Sequence, residues 1–320
     1  MPDSIPASLL DFSTIGHDGD VSLAPLQELL PRLKVHEQTH PHELAARAGS
    51  DRILITNKVV IDRDFIETAP ALELICAAAT GTNNIDLEAA EEHGIAVCNV
   101  TGYATASVVQ HVFALITALQ TRLLDYSTAV RAGAWQDAGQ FCLLDYPIRE
   151  LAGRKLGIIG YGELGKEVGK VAKAFGMELL IAQRPGGASQ PGRVPTDVLL
   201  QQADIISLHC PLADNTRNLI DTRALALMKP DAILINTARG GIVDEAALAE
   251  ALRHGRIGGA GIDVLSQEPP SGNPLLDSLP NLLITPHIAW ASRESRQRLV
   301  EEVRLNISAF LKGDRRNRVL

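Results

Sequence analysis

The feature that most constrains the fold of this chain is an alternation of short apolar runs, many of them β-branched, with longer helical stretches. Periodicity of this kind is typical of parallel β-sheets covered by helices. Strands are therefore predicted in an early series before residue 100 and a late series after residue 150. Their predicted ranges are 52–56, 72–78 and 95–99, then 155–159, 178–182, 204–208, 232–236, 259–263 and 281–284. The pattern predicts an α/β fold.

A long helical segment, predicted at 105–131, and a loop at 132–146 separate the two series of strands. The chain has 320 residues, about twice the length of a typical domain. We therefore predict two domains, with a middle domain of residues 102–288 inserted into an outer one. The outer domain would consist of residues 1–101 and 289–320.

The composition is that of an ordinary globular protein, with 46% hydrophobic and 21% charged residues. The formal net charge is −8 and the basic residues are spread along the chain, so nucleic acid is not an expected partner. The four cysteines show no C-x-x-C spacing, which predicts free thiols and no metal site. The N-terminus lacks a signal-peptide pattern, and no run of about 18 apolar residues occurs. We expect a cytoplasmic protein without a membrane partner.

A glycine-rich turn, Gly160-Tyr-Gly-Glu-Leu-Gly165, closes the predicted strand 155–159 and opens a predicted helix that runs to Ala174. This is the context in which a G-x-G-x-x-G pattern binds a dinucleotide. Gly160 permits the tight turn, Gly162 lets the backbone approach a pyrophosphate, and Gly165 allows close packing of helix on strand. The late series has six strands, which suits a dinucleotide-binding sheet. We predict two Rossmann-like, doubly wound parallel-sheet domains, with the cofactor domain inserted into the substrate domain.

The choice of cofactor depends on the end of the next predicted strand, where an acidic residue usually accepts from the ribose hydroxyls of NAD. Here Gln183 and Arg184 stand in its place. A guanidinium can bind a 2′-phosphate that an acid would repel, so NADP(H) is predicted to be favoured over NAD(H). The alternative is that Arg184 is only an exposed loop residue and the enzyme is indifferent. The Gly- and Pro-rich segment 185–195 that follows is predicted to be a surface loop.

Three polar residues lie just past the ends of different strands of the late series: Arg239, Glu268 and His287. In a parallel sheet these strand ends share one edge with the glycine turn, so the three can converge on a nicotinamide. Arg239 suits bidentate binding of a carboxylate. His287 can donate a proton to an alkoxide as general acid, and Glu268 can fix its tautomer and favour the imidazolium. Taken singly, each residue is more often a surface ion pair, a turn cap or a structural histidine.

Taken together, these residues resemble the D-isomer-specific 2-hydroxyacid dehydrogenases over nearly the whole chain. The glycerate dehydrogenase and hydroxypyruvate or glyoxylate reductase branch is the most similar. The matching stretches are Ala79-Thr-Gly-Thr-Asn-Asn-Ile-Asp86, Asn99-Val-Thr-Gly-Tyr103, the glycine turn, His209-Cys-Pro-Leu212, Asn236-Thr-Ala-Arg-Gly-Gly241, Asp263-Val-Leu-Ser-Gln-Glu-Pro-Pro270 and Thr285-Pro-His-Ile-Ala-Trp290.

The resemblance implies reduction of hydroxypyruvate or glyoxylate to D-glycerate or glycolate, and a homodimer joined through the cofactor domain. It implies that Thr80 and Gly81 offer backbone N–H groups to the substrate carboxylate beside Arg239, with Asn57 and Lys58 nearby. Asp263 would face the nicotinamide carboxamide. The other cofactor contacts implied on matching positions are Leu164 and Gly165 at the pyrophosphate, with Cys210, Pro211, Thr216, Thr237 and Ala238 lining the site.

Two features separate this chain from other branches of the family. Glu268 stands where the formate dehydrogenases carry glutamine, which disfavours formate as substrate. The chain stops at Leu320, short of the regulatory domain of some phosphoglycerate dehydrogenases. A different class of function, a cofactor-sensing binding protein similar to the transcriptional corepressors of this fold, remains the alternative, and turnover of a keto acid would separate the two.

Overall fold

The computed structural model describes residues 5–184, 187 and 190–320. Its contacts divide the chain into two compact units, residues 1–104 with 290–320 and residues 105–289. The sequence placed the division after residue 101 and before residue 289. That the first unit binds substrate and the second binds cofactor remains a prediction.

The first unit contains a five-stranded parallel sheet with the order β2-β1-β3-β4-β5. This is a doubly wound order, in which the chain adds strands first to one side of β1 and then to the other. Its strands are β1 (Ala7–Leu9), β2 (Leu33–Val35), β3 (Ile53–Thr56), β4 (Leu74–Ala77) and β5 (Ala96–Cys98). Its helices are α1 (Ala24–Leu29), α2 (Pro41–Ala48), α3 (Arg63–Glu67), α4 (Leu87–Glu92) and, from the end of the chain, α12 (Arg293–Leu311).

The last helix completes the core of the first unit. Leu299, Val303 and Ile307 are buried on the face that packs against the five-stranded sheet. The residues beyond it continue along the edge of that sheet, where the Val319 N–H donates to the Val97 carbonyl at 2.8 Å. One face of the first sheet is therefore covered by chain that follows the second unit in the sequence.

The second unit contains a six-stranded parallel sheet with the order β11-β10-β9-β8-β6-β7. All six strands of the predicted late series are present, which confirms the predicted α/β class. They are β6 (Lys155–Ile159), β7 (Glu178–Ile181), β8 (Ile205–Leu208), β9 (Ile233–Asn236), β10 (Gly259–Ile262) and β11 (Leu282–Ile284). The helices are α5 (Thr105–Thr121), α6 (Leu123–Arg131), α7 (Ala134–Asp137), α8 (Glu163–Ala174), α9 (Thr196–Gln202), α10 (Thr222–Leu227) and α11 (Glu245–Arg253).

The order of strands changes direction between β6 and β8, because β7 lies on one side of β6 and the later strands on the other. Parallel α/β sheets bind their ligands at such a switch point, outside the carboxyl ends of the strands. The loops that follow β6, β8, β9, β10 and β11 all leave the sheet at this carboxyl edge. They carry most of the residues singled out in the sequence.

The helical segment predicted at 105–131 is present, but it is divided into two helices that meet at Arg122. Arg122 has φ of +54°, a left-handed conformation that interrupts a right-handed helix. Its guanidinium lies 2.7 Å from the Asp125 carboxylate. In the described chain no single helix passes as a membrane span, and only the bent pair α5 and α6, at 59°, has the necessary length and composition.

Candidate active site

The glycine turn after β6 has the shape that the sequence predicted. Gly160 has φ of +97°, and a Cβ there would lie 2.4 Å from the backbone nitrogen of Cys210. A Cβ on Gly165 would lie 2.2 Å from the carbonyl oxygen of Gly160, so the close packing of helix on turn requires glycine. A Cβ on Gly162 would meet no described atom within 4 Å. Backbone packing therefore explains two of the glycines, and Gly162 borders open space.

The N-terminus of α8 begins at this open space. Gly162 is its N-cap residue, and no described side chain caps the first turn. Uncapped N–H groups at a helix N-terminus and a surface without a Cβ together fit a pyrophosphate. The residues present thus fit the cofactor that the turn predicts, with Gly160, Gly162, Leu164 and Gly165 around the phosphates.

The end of β7 contains cations and no carboxylate among its described residues. Arg184 is exposed and Gln183 donates its backbone N–H to the Val194 carbonyl at 2.8 Å. This pairing brings Arg193 back to the strand end, where its guanidinium lies 3.4 Å from the Ala182 carbonyl. The sequence analysis missed Arg193, because it lies 11 positions after Ala182 in the sequence. Pro185, Gly186, Ala188 and Ser189 of the predicted surface loop lie outside the described residues.

The loop after β8 is held by its own side chains. The Thr216 hydroxyl donates to the Pro211 carbonyl at 2.7 Å and accepts from the Ala213 N–H at 2.8 Å. Thr216 is buried, so it stabilises the loop in this structure and its predicted cofactor contact would have to come from the backbone nearby. His209, which the sequence analysis did not assign a role, has its Nε2 2.9 Å from the Ser207 hydroxyl. Burial lowers the pKa of His209 to about 4.

The loop after β9 presents Arg239. The Asn236 side chain accepts from the Ala238 N–H at 3.1 Å and donates to the Arg239 carbonyl at 2.8 Å, so it fixes the path of this turn. The Arg239 side chain is exposed, with one guanidinium nitrogen 2.7 Å from the Ala238 carbonyl. A Cβ on Gly240 would lie 1.9 Å from the carbonyl carbon of Leu265. The loop of Arg239 is thus pressed against the loop that leads to Glu268.

Glu268 and His287 are brought together, as the sequence analysis predicted. The His287 Nδ1 lies 2.6 Å from one Glu268 carboxylate oxygen, and the other oxygen accepts from the Leu265 N–H at 2.9 Å. A carboxylate accepts and does not donate, so this contact places a hydrogen on Nδ1. The pair is partly exposed, with 30% of the His287 side chain accessible. The Nε2 of His287 is the ring nitrogen left to face a reactant.

The contacts of Asp263 within the protein differ from the cofactor contact that the resemblance implies. Its side chain is buried, and its carboxylate accepts from the Thr285 hydroxyl at 2.5 Å and from the N–H groups of Ile288 and Ala289, both at 2.9 Å. These contacts hold the loop that carries His287. A contact with the nicotinamide carboxamide remains a prediction.

The predicted substrate residues of the first unit lie at the carboxyl ends of β3 and β4. Thr80 is exposed and its hydroxyl donates to the Val100 carbonyl at 2.8 Å. Asn57 is buried and its amide donates to the Thr14 hydroxyl at 2.9 Å, whereas Lys58 is exposed. The Asp11 carboxylate, which the sequence analysis missed, accepts from the backbone N–H groups of residues 57–59. Of the pair, only Lys58 is exposed.

A glycine turn at the switch point of a six-stranded sheet, with an imidazole–carboxylate pair at the same edge, is the arrangement of a nicotinamide-dependent dehydrogenase. The family profile described as "D-isomer specific 2-hydroxyacid dehydrogenase, NAD binding domain" matches residues 113–289. The chain belongs to the D-isomer-specific 2-hydroxyacid dehydrogenase family, and it is an oxidoreductase that uses NAD(P).

Relatives and solved structures agree with this assignment. The chain is 47% identical to a glycerate dehydrogenase of Methylorubrum extorquens over 287 residues, which cover 89% of this chain and 90% of that protein. It is 40% identical to a hydroxypyruvate reductase of Blautia hydrogenotrophica, covering 86% and 87%. Among solved structures it is similar to an acyclic imino acid reductase in complex with NADPH and D-Arg, with a TM-score of 0.84, 29% identity and coverage of 98% and 100%. The predicted family and branch are confirmed.

Proposed function

We propose that this enzyme reduces hydroxypyruvate or glyoxylate with NAD(P)H to D-glycerate or glycolate, and catalyses the reverse oxidation. The observation that carries the proposal is the 2.6 Å contact between His287 Nδ1 and the Glu268 carboxylate, at the carboxyl edge that also presents Arg239. The names of the similar glycerate dehydrogenase and hydroxypyruvate reductase support the same substrates.

Each catalytic side chain has one task in this proposal. Arg239 binds the substrate carboxylate. The nicotinamide, when bound, supplies the hydride that adds to the keto carbon. His287 then delivers a proton from Nε2 to the developing alkoxide, and Glu268 stabilises the imidazolium from the side of Nδ1. In the oxidative direction the neutral Nε2 accepts the hydroxyl proton.

The proposed cofactor preference is for NADP(H). Arg184 is exposed at the end of β7, and Arg193 returns to the same strand end, so two cations are available to a 2′-phosphate. The ratio of kcat/KM with NADPH to that with NADH tests this preference. A higher kcat/KM with NADH would contradict it.

We propose in addition that residues 105–289 form the cofactor domain, that the first unit binds substrate, and that the active protein is a cytoplasmic homodimer. The exposed apolar side chains of the segment 123–148 support the dimer. They are Leu123, Leu124, Val130, Trp135, Phe141, Leu144 and Ile148.

The decisive experiment is an assay of NADPH and NADH oxidation with hydroxypyruvate, glyoxylate, pyruvate and longer keto acids. We expect turnover with the first two. Replacing His287→Ala should lower kcat by about 10²- to 10⁴-fold, because general acid catalysis is lost. Replacing Arg239→Ala should raise KM strongly, because the carboxylate loses its charged partner.

The matched controls are His254→Ala and Arg256→Ala, which change exposed side chains of the same unit. Both controls should retain wild-type kinetics. Cofactor binding without turnover of any keto acid would favour the binding-protein alternative. Intact turnover in the His287→Ala variant would refute the acid–base assignment.

A further inference from the structure

A second histidine, His111, contacts the loop that carries His287. His111 lies on α5, with 19% of its side chain exposed, and its Nε2 is 2.9 Å from the Thr285 hydroxyl oxygen. The same nitrogen is 3.6 Å from the Asp263 carboxylate. Neither the sequence pattern nor the proposed reaction assigns a task to this residue.

The direction of the hydrogen bonds follows from the donors available. The Thr285 hydroxyl has a single hydrogen, and the 2.5 Å contact with Asp263 directs it at a carboxylate oxygen, which can only accept. The Thr285 oxygen must therefore accept from His111, so Nε2 of His111 carries a hydrogen. The result is a continuous series of bonds from His111 through Thr285 to Asp263.

Asp263 in turn forms hydrogen bonds with the residues around His287. Its carboxylate accepts from the N–H groups of Ile288 and Ala289, and its carbonyl accepts from the His287 N–H at 2.7 Å. His287 has φ of +55°, a left-handed conformation that costs a residue with a Cβ about 1–2 kcal/mol. Such a conformation persists only where the surroundings hold it. Thr285 and Asp263 hold His287 in this conformation.

We propose that His111 is a positioning residue of the active site, which acts through Thr285 and Asp263 to hold the His287 imidazole in its productive orientation. This inference rests on the proposed function of His287. His111 does not exchange the reacting proton, because its Nε2 is engaged by Thr285 and the general acid is the His287 ring. Its donor hydrogen, rather than its charge, is the property that the site uses.

The test compares His111→Leu, which removes the donor, with His111→Gln, whose amide can donate from a similar position. The matched control is Gln110→Leu, which changes the adjacent, exposed residue of α5. We expect His111→Leu to lower kcat by about 10- to 100-fold, as misplacement of a catalytic group does. KM for the keto acid and the Kd for NADPH should stay within about twofold, because Arg239 and the glycine turn are untouched.

Three further outcomes decide the question. His111→Gln should recover most of kcat, Thr285→Val should reproduce the loss, and the His111→Leu/Thr285→Val double variant should lose no more than either single one. Full kcat in His111→Leu would overturn the inference while leaving the proposed function intact. Equal loss in the Leu and Gln variants with a lowered Tm would overturn it too, since the role would then be packing alone.

A readout independent of turnover separates this inference from the proposed function. In protein labelled with nitrogen-15 in its histidines, the His287 ring signals, identified by their absence in His287→Ala, should shift in His111→Leu and stay in place in Gln110→Leu. Unshifted signals in both variants would refute the positioning role even if the enzyme reduced no keto acid. A shift limited to His111→Leu would support it under the same circumstance.

Discussion

The chain uses histidine in three different physical settings within its second unit. His287 is partly exposed beside a carboxylate, His111 donates to a hydroxyl, and His209 is partly buried beside Ser207. Burial lowers the pKa of His209 to about 4. Its ring is therefore neutral across the physiological range and accepts a proton only on acidification.

His209 should make the stability of the fold depend on pH. Its folded-state pKa lies below the value of 6.5 of an unperturbed histidine, so the unfolded state binds more protons between these two values. Stability is then lost as the pH falls through this window. The expected contribution is a loss of about 2 kcal/mol between pH 7 and pH 5. Urea unfolding at both pH values measures the free energy of unfolding. Its difference between pH 7 and pH 5 should be smaller in His209→Gln than in the wild type.

His254→Gln is the control for this measurement, because His254 is exposed in the same unit. His254→Gln should leave the difference in the free energy of unfolding between pH 7 and pH 5 as it is in the wild type. The same pH dependence in His209→Gln and in the wild type would contradict the assignment.

At the residue scale, the sequence identified those side chains whose position follows from a strand end. Arg239, Glu268 and His287 each follow a β-strand that is evident from apolar periodicity, and the shared edge of a parallel sheet brings them together. His111 and Asp11 were not predicted, because their partners lie 174 and 46 or more residues away along the chain. Such contacts depend on tertiary packing, which periodicity does not encode.

At the scale of elements, the same limits explain what was missed. The interiors of all nine predicted strands are present, and most observed strands are one or two residues shorter at an end. β1 and β2 were overlooked because each has only three residues with a polar one in the middle, Ser8 or Lys34, so neither forms a continuous apolar run. The break at Arg122 was overlooked because apolar residues continue across it. The amino-acid composition does not reveal a change in one backbone angle.

The glycine turn allows an element-scale prediction with a matched pair of variants. Gly165→Ala should lower the free energy of unfolding by about 1–3 kcal/mol, since its Cβ would overlap the Gly160 carbonyl. Gly162→Ala should change stability by less than about 0.5 kcal/mol, because its Cβ meets no described atom within 4 Å.

The affinity for the cofactor should be affected more by Gly162→Ala than by Gly165→Ala. Gly162→Ala should raise the Kd for NADPH at least about tenfold, because the added methyl group occupies the space proposed for the pyrophosphate. Titration calorimetry and urea unfolding of the two variants measure both quantities. Unchanged affinity in Gly162→Ala would show that the phosphates do not approach this turn.

At the scale of the whole molecule, the segment 123–148 leaves seven large apolar side chains exposed, a feature that marks surfaces of association. Phe141 is 90% exposed and Leu144 is 81% exposed. We expect light scattering to give the mass of two chains. Replacing both residues by Asp should yield the mass of one chain, since charged groups are depleted at the core of an interface.

The control for this experiment is Leu276→Asp, which alters an exposed leucine of the same unit outside the segment. It should leave the dimer intact. A wild-type protein with the mass of one chain at micromolar concentration would refute the proposed assembly.

The position of α12 has a consequence for biosynthesis. Leu299, Val303 and Ile307 cover one face of the first sheet, but the ribosome makes them only after residues 105–289. The nascent first unit must therefore emerge with that apolar face open to solvent, while the second unit is already complete enough to fold. The first unit of this chain can therefore complete its core only after the ribosome has made the second unit.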